Sequence, residues 1–327
     1  MKRIAQASNE ERQMVFIDVA HRKSLTPEVV EKDFWVSWIL SEVFADDFLS
    51  QLLCFKGGTS LSKVYGIIER FSEDIDLILA KHAVLAVGED LVQATNRKQK
   101  EFNKVLDIRA GEYISTKLKD ALSQCLAPLC ELRADENDLH VIWVRYPRIF
   151  DDSYILADVK LEIGPAALWN PNEQYPVDSF VNQALPELAL SSVNVPTVKA
   201  ERTFWEKITI LHQEHHRPEG SVVPARYSRH YYDVYQIAHT DIKEQATHQP
   251  LLLAEVVAFK KRFYPRGWAN YDAAVLGSIR LIPASHNLKV LRQDYEEMRD
   301  MIYGSRPTWD ELLSYLEALE AELNSAF

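Results

Sequence analysis

Cysteine is scarce in this chain. There are three in 327 residues, Cys54, Cys125 and Cys130, with no CxxC pair among them. That excludes a disulfide framework and a thiolate zinc site and fits a reducing compartment, so a cytoplasmic location is expected. The 10 glycines and 14 prolines follow no periodic repeat, which excludes collagen-like and solenoid architectures. No run of about 18 apolar residues occurs, and no basic-then-apolar leader opens the chain, so neither a membrane helix nor classical secretion is expected. Net positive charge is missing as well: 37 basic residues face 48 acidic ones, for a net charge of −11. A field of that sign repels phosphates, so any nucleic-acid partner must meet a local basic patch.

What remains is ordinary globular composition, 47% hydrophobic and 26% charged, in a length suited to about two domains. Two basic patches stand out. Residues 97–119 carry seven Lys/Arg against three acids, and residues 256–280 carry five (Lys260, Lys261, Arg262, Arg266, Arg280) against Asp272 alone. Each reads either as a solvated helix face or as a local phosphate contact. Residues 289–327 hold nine acids and four bases, a balance that keeps this end away from phosphate.

Thr26-Pro27-Glu28 supplies a capping residue, a first-turn proline and an early acid, and Val30, Phe34, Trp38 with Trp35, Ile39 recur at spacings of four, so a helix is predicted over about 27–45. The apolar run Leu52 to Phe55 predicts a strand, Lys56 to Ser60 a glycine turn, and Leu61, Val64, Tyr65 and Ile68 a helix ending near Arg70. Asp74 to Leu79 alternates as a strand. Residues 97–122 read as a charged helix, and Leu139–Tyr146 with Tyr154–Ile163 as neighbouring antiparallel strands. Asn170–Pro176 reads as a polar loop, Val193–Val198 as a short connecting stretch, and Lys199–His216 as a helix that opens an almost wholly helical remainder. The expected class is α+β: a front domain over 1–195 with a small mixed sheet and N-terminal helices, and a helical domain over 196–327 that contributes cleft residues.

Asp74 and Asp76 are separated by one strand residue and point to the same face. Two neighbouring carboxylates on an otherwise apolar strand repel each other and lose hydration, which is tolerable chiefly with a cation between them. Oxygen-only ligands favour a hard ion such as Mg²⁺. Strand-end acids facing plain water are the bland alternative, but the context weighs against it. Upstream, Gly57, Gly58, Thr59 and Ser60 allow close backbone approach to a ligand and open a helix whose free N–H groups attract phosphate. Lys63, one turn on, either adds charge there or is an ordinary exposed lysine. A two-metal site needs a third acid. Asp158 and Glu162 share a strand face, and Glu162 is preferred because Leu161 and Ile163 make its burial costly without a partner.

Phe55-Lys56-Gly57-Gly58-Thr59-Ser60-Leu61-Ser62-Lys63 followed by Arg70-Phe71-Ser72-Glu73-Asp74-Ile75-Asp76-Leu77 resembles the signature of the AbiEii/AbiGii-type nucleotidyltransferase toxins of bacterial toxin–antitoxin and phage-defence systems, within the polymerase-β-type nucleotidyltransferase superfamily. Glu31-Lys32-Asp33, the stretch Glu201 to Lys207 and the stretch Arg229 to Tyr235 are similar to family members too, although His230 departs from the family's common aspartate. The resemblance spans essentially the whole chain. It implies a polymerase-β-like core and transfer of a nucleotide from an NTP with two Mg²⁺ ions; some members act on the 3′ end of tRNA. It further implies that Ser60 contacts the triphosphate, that Asp74 and Asp76 hold Mg²⁺, that Lys207 binds the triphosphate, and that Asp233 orients that lysine or the acceptor. A cation is also what chemistry requires where pyrophosphate charge develops. Lys199, Arg202, Arg226 and Arg229 are further phosphate-contact candidates, and a cognate antitoxin is an expected partner. Nucleotidylation of a protein hydroxyl and a non-catalytic NTP-binding module are the alternatives. His212, His215 and His216, with Glu214 among them, could ligate zinc only without an HExxH order and at a helix end, where histidines gather to complement the dipole. Tyr227, Tyr231, Tyr232 and Tyr235 could stack on a base, but their helical spacing favours core packing.

Overall fold

A computed structural model describes residues 1–72, 74–151, 156–165, 170–188, 190 and 192–325. The chain divides into two compact units, one of Met1–Gly66 with Ser72–Val198, the other of Ile67–Phe71 with Lys199–Phe327. Among the described residues no helix is long and apolar enough to cross a membrane.

The first unit opens with α1 (Lys2–Ala5) and α2 (Asn9–Lys23), the latter started by a reciprocal capping box between Ser8 and Glu11. In α3 (Pro27–Ala45) the Thr26 hydroxyl caps the Val29 N–H and Pro27 occupies the first turn, as the sequence pattern requires. Every α3 residue from Val30 to Ser41 is buried, so this helix is enclosed on all sides, against α2 and elements that follow. Next come α4 (Asp47–Leu52), β1 (Leu53–Lys56), α5 (Gly57–Lys63), β2 (Asp74–Leu79), α6 (Asn96–Tyr113), α7 (Lys119–Leu126), β3 (Glu131–Ala134), β4 (Val141–Arg145), β5 (Val159–Gly164), β6 (Asn172–Val177), α8 (Phe180–Ala184) and β7 (Val193–Val198). The strands form one mixed sheet in the order β3-β4-β5-β2-β1-β7-β6, and α3 lies against α7, α8 and β7.

Three local expectations are corrected. The helix opening at the glycine turn stops at Lys63 rather than near Arg70, and Gly66 turns the chain with a φ of 61°. Residues 97–122 are two helices joined by a π-turn over Ile114–Leu118, and the second runs on to Leu126. The polar stretch read as a loop supplies β6, an edge strand antiparallel to β7. An edge position tolerates Pro176 and exposed polar residues, which is why strand patterning is weak there. The expected antiparallel pairing of the two alternating segments is present as β4 on β5; residues 154 and 155 of the second lie outside the described residues.

The second unit is built on α9 (Ala200–His215), which contacts α10 (Arg229–Ala238), α11 (Asp241–Thr247) and α12 (Pro250–Phe263), followed by α13 (Leu288–Glu297) and α14 (Trp309–Ser325). Its core includes Phe204, Trp205, Tyr231, Tyr232, Tyr295 and Trp309. The segment 67–71 joins it by backbone hydrogen bonds, from the Phe71 N–H to the Met301 carbonyl at 2.6 Å and from the Tyr303 N–H to the Glu69 carbonyl at 3.0 Å.

Candidate functional site

In the first unit the sheet register assembles the acids. β2 runs parallel to β5 with Asp74 opposite Lys160 and Asp76 opposite Glu162, while antiparallel β1 sets Lys56 opposite Asp76. Asp74, Asp76, Lys160 and Glu162 share the less buried face of their strands, whereas Ile75, Leu77, Leu161 and Ile163 are buried on the other. Same-face neighbours on adjacent strands lie within side-chain reach, so Asp76 and Glu162 are neighbours, which spacing along one strand could not reveal. The Lys160 ammonium pairs with Glu162. Burial works against that ammonium, but Glu162 and Asp74 raise it above its usual value, so one cation already serves this acidic row.

Asp158, the other candidate third acid, is spoken for. Its carboxylate accepts from Arg133 at 3.3 Å and from Arg145 at 3.4 Å, on the side of the sheet edge formed by β3 and β4. Two guanidiniums neutralise it where it stands, and the register leaves Glu162 as the acid beside Asp76.

The glycine turn closes onto the same acids. Gly57 adopts a φ of 81°, and a Cβ there would overlap the Asp76 carboxylate. Glycine is therefore required twice over, for the left-handed backbone and for the close approach. The Ser60 hydroxyl donates to the Gly57 carbonyl at 2.8 Å, and the buried Thr59 hydroxyl shares a hydrogen with Ser72 at 2.8 Å and donates to the Asp74 carbonyl. These bonds tie the turn to the start of β2. Gly57→Ala is expected to cost about 1–3 kcal/mol in backbone strain alone and, by displacing Asp76, at least about tenfold in the rate of any reaction that uses that carboxylate. Urea unfolding beside a rate measurement on the same preparation checks both.

Lys63 neither lends its charge to the glycine turn nor lies exposed. Its side chain is 8% exposed, paired with Asp33, and hydrogen-bonded to the Ser37 hydroxyl at 3.0 Å.

Asp74, Asp76 and Glu162 form an oxygen-only donor set on one face, the chemistry that suits Mg²⁺. Among the described residues no three Asp, Glu, His or Cys side chains enclose an ion as they stand, Glu162 being turned to Lys160.

In the second unit Lys207 and Asp233 meet. The Lys207 ammonium lies 2.6 Å from Asp233 Oδ2, and Arg70 grips the same carboxylate from its other side, Nε to Oδ1 at 2.7 Å and Nη2 to Oδ2 at 2.8 Å. All three side chains are buried. Burial alone would push the Asp233 carboxyl up, but Arg70 and Lys207 hold it well below the usual carboxylate range. Burial lowers the Lys207 ammonium, and the charges of Arg70 and Arg229 add to that, against the pull of Asp233. Two cations on one anion leave the cluster net positive, so an added anion would find it favourable. Spacing along the chain does not single out Arg70; its only signal is a guanidinium in an apolar segment, beside Ile67, Ile68 and Phe71. His230 is kept neutral by burial and by the charges of Lys207 and Arg229.

Buried Arg202 pairs with Glu206 at 3.1 Å, and Arg226 is exposed in a left-handed backbone conformation. Lys199 and Arg229 are half-buried. His212 donates from Nε2 to the Asn270 carbonyl at 3.0 Å and accepts the Arg280 N–H on Nδ1 at 3.0 Å. Both nitrogens are thus occupied, and burial lowers its pKa to about 4. His215 bonds the Ile282 carbonyl at 2.7 Å. Tyr231 and Tyr232 are core residues, and Tyr235 packs edge-on to Tyr315.

The family model described as nucleotidyl transferase AbiEii toxin, Type IV TA system, matches residues 38–315. Among solved structures the chain is similar to the nucleotidyltransferase toxin MenT4 of Mycobacterium tuberculosis H37Rv, at 15% identity and a TM-score of 0.47 over 94% of this chain and 98% of that one. It is also similar to JHP933 from Helicobacter pylori, at 14% identity and a TM-score of 0.32 over 90% and 96%. No curated protein sequence matches it.

Proposed function

The chain belongs to the AbiEii nucleotidyltransferase toxin family of Type IV toxin–antitoxin systems, and from that premise we propose that it moves a nucleotide from an NTP to an acceptor hydroxyl at a tRNA 3′ end, with Mg²⁺ as cofactor. The observation that carries this reading is the closure of Gly57 on Asp76 with Glu162 beside it in register. A glycine turn abutting an acid pair on a strand is the arrangement expected of a polymerase-β-type core.

Asp74 and Asp76 would hold the metal, with Glu162 completing the set. Once bound, Mg²⁺ would lower the cost of forming the attacking oxygen anion and neutralise departing pyrophosphate. The acceptor oxygen bonds to the α-phosphorus as the bridging bond from that phosphorus to the β-phosphate oxygen breaks; pyrophosphate leaves with the electron pair, and the hydroxyl proton passes to water. The turn from Gly57 to Ser60 meets the triphosphate with backbone N–H groups. In the second unit Lys207, held by Asp233, is a cation suited to an anionic group. A cognate antitoxin is the expected protein partner.

The test incubates the purified chain with each of the four α-labelled NTPs, Mg²⁺ and total cellular RNA. Label in tRNA-sized RNA with one NTP preferred is the expected result. Glu162→Gln should reduce it at least about a hundredfold, or roughly 2.7 kcal/mol of barrier, whereas Asp158→Asn should stay within a fewfold of wild type. Label in protein bands would replace the RNA acceptor with a protein hydroxyl. NTP binding with no pyrophosphate released would leave a recognition module and end the catalytic reading.

A further inference from the structure

Glu31, Lys32 and Asp33 are consecutive charged residues of α3 with relative exposures of 1%, 0% and 3%. Charged side chains are almost never fully buried unless paired, and successive helical residues diverge by about 100°. Each of the three must therefore find a partner on a different side of the helix, and each does. The Glu31 carboxylate accepts the backbone N–H groups of Ile149 at 2.8 Å and Phe150 at 3.1 Å. The Lys32 ammonium donates to the carbonyls of Leu156 at 2.7 Å and Asp158 at 2.8 Å, with the Tyr146 ring 5.6 Å away. Asp33 takes the Lys63 ammonium and accepts the Phe180 N–H at 2.7 Å.

The partners are not scattered. The carbonyls of Leu156 and Asp158 lead directly into β5, which carries Glu162, and Lys63 ends α5, which begins at Gly57 beside Asp76. One rigid helix thus holds by its side chains both segments that bear on the acid row. Buried ion pairs are poor sources of net stability but fix geometry when every hydrogen bond is made. Catalytic constellations need such support from residues that touch no substrate.

We propose that Lys32 and Asp33 are positioning residues of the nucleotidyl-transfer site, Lys32 setting the height of β5 and so Glu162, Asp33 setting α5 and so the glycine turn. This rests on the reading of Asp74, Asp76 and Glu162 as the metal-holding acids. Glu31 anchors the connection after β4 and shares the burden.

The experiment uses the full chain as wild type, Asp33→Asn, Lys32→Gln and Lys32→Arg. Asn at 33 can still accept the Phe180 N–H but loses the ion pair; Arg at 32 keeps the charge and its donors. Binding of ATP, CTP, GTP and UTP, each with Mn²⁺ as the probe ion, is measured by calorimetry, and amide exchange is followed by mass spectrometry. For the NTP that wild type binds best, Kd is expected to rise at least tenfold in Asp33→Asn and Lys32→Gln and to recover to within threefold in Lys32→Arg. Exchange should quicken over residues 57–63 in Asp33→Asn and over 159–164 in Lys32→Gln, with α6 unchanged. Unaltered affinity in folded variants, or exchange that quickens evenly through the unit, overturns the proposal by showing no role or a merely structural one. Failure of both neutral variants to fold would show that the two side chains serve folding as a whole, and likewise overturns it. If wild type binds none of the four NTPs, the underlying site reading has failed, a result separable from wild-type binding that the variants leave intact.

Discussion

Alanine at position 76 is expected to lower nucleotide transfer at least a thousandfold, about 4 kcal/mol of barrier, while leaving the protein folded. Asp76 sits where β1, β2 and β5 converge, opposite Lys56 on one side and Glu162 on the other, with the Cα of Gly57 against its carboxylate. Neither acid on β5's side can take its place: Asp158 is bound to Arg133 and Arg145, and Glu162 is its companion rather than its substitute. The same change removes one of several like charges on a strand face, and relief of that repulsion offsets the lost contacts. The unfolding midpoint should consequently stay close to wild type. Transfer measured with labelled NTP, alongside a thermal scan, separates the two effects. Labelling that persists in Asp76→Ala would remove the acid row from the mechanism.

The largest stability loss is expected in the second unit, from Asp233→Asn. That change leaves the buried Arg70 and Lys207 charges facing a neutral amide, and stripping one partner from a buried ionic cluster costs about 3–5 kcal/mol. Lys207→Met should be milder, because Arg70 still satisfies both carboxylate oxygens. The pH dependence follows from linkage. The folded-state pKa of Asp233 is depressed, so its contribution is complete above the unfolded carboxylate value of about 3.9 and is lost as pH falls below that toward the depressed folded value. Wild type should therefore lose stability on acidification below roughly pH 4 by more than Asp233→Asn does, and the gap between them should be constant around neutrality. Chemical unfolding at a series of pH values measures it; a gap that stayed constant below pH 4 would assign the cost to packing instead.

Legibility in the sequence follows the range of the interaction involved. The start of α3 is written in Thr26-Pro27, a local cap, and the structure begins the helix there. The acid pair on β2 follows from period-two alternation, and so does its less buried face. Local chemistry misleads where local pattern is thin: β6 carries polar residues and proline because an edge strand tolerates them, and α5 is shorter than its apolar spacing suggests because Gly66 turns the chain. The surroundings of Lys63 and Asp158 were hidden for another reason. Their partners, Asp33 and the arginines of β3 and β4, lie outside any periodic window, and a charge gives no sign in sequence of which distant charge will meet it.

The sequence by itself determined the helix and strand periods, the glycine turn and the presence of carboxylates at Asp74 and Asp76, because each depends on backbone geometry within a few residues. Only the tertiary structure decided that Glu162 and not Asp158 stands beside Asp76, that Arg70 reaches Asp233 across 163 positions, and that Glu31, Lys32 and Asp33 are interior rather than solvated. Those outcomes depend on strand register and on which charges are driven together when water is excluded. Both are properties of the assembled chain, since a buried charge must find a partner wherever the fold brings one.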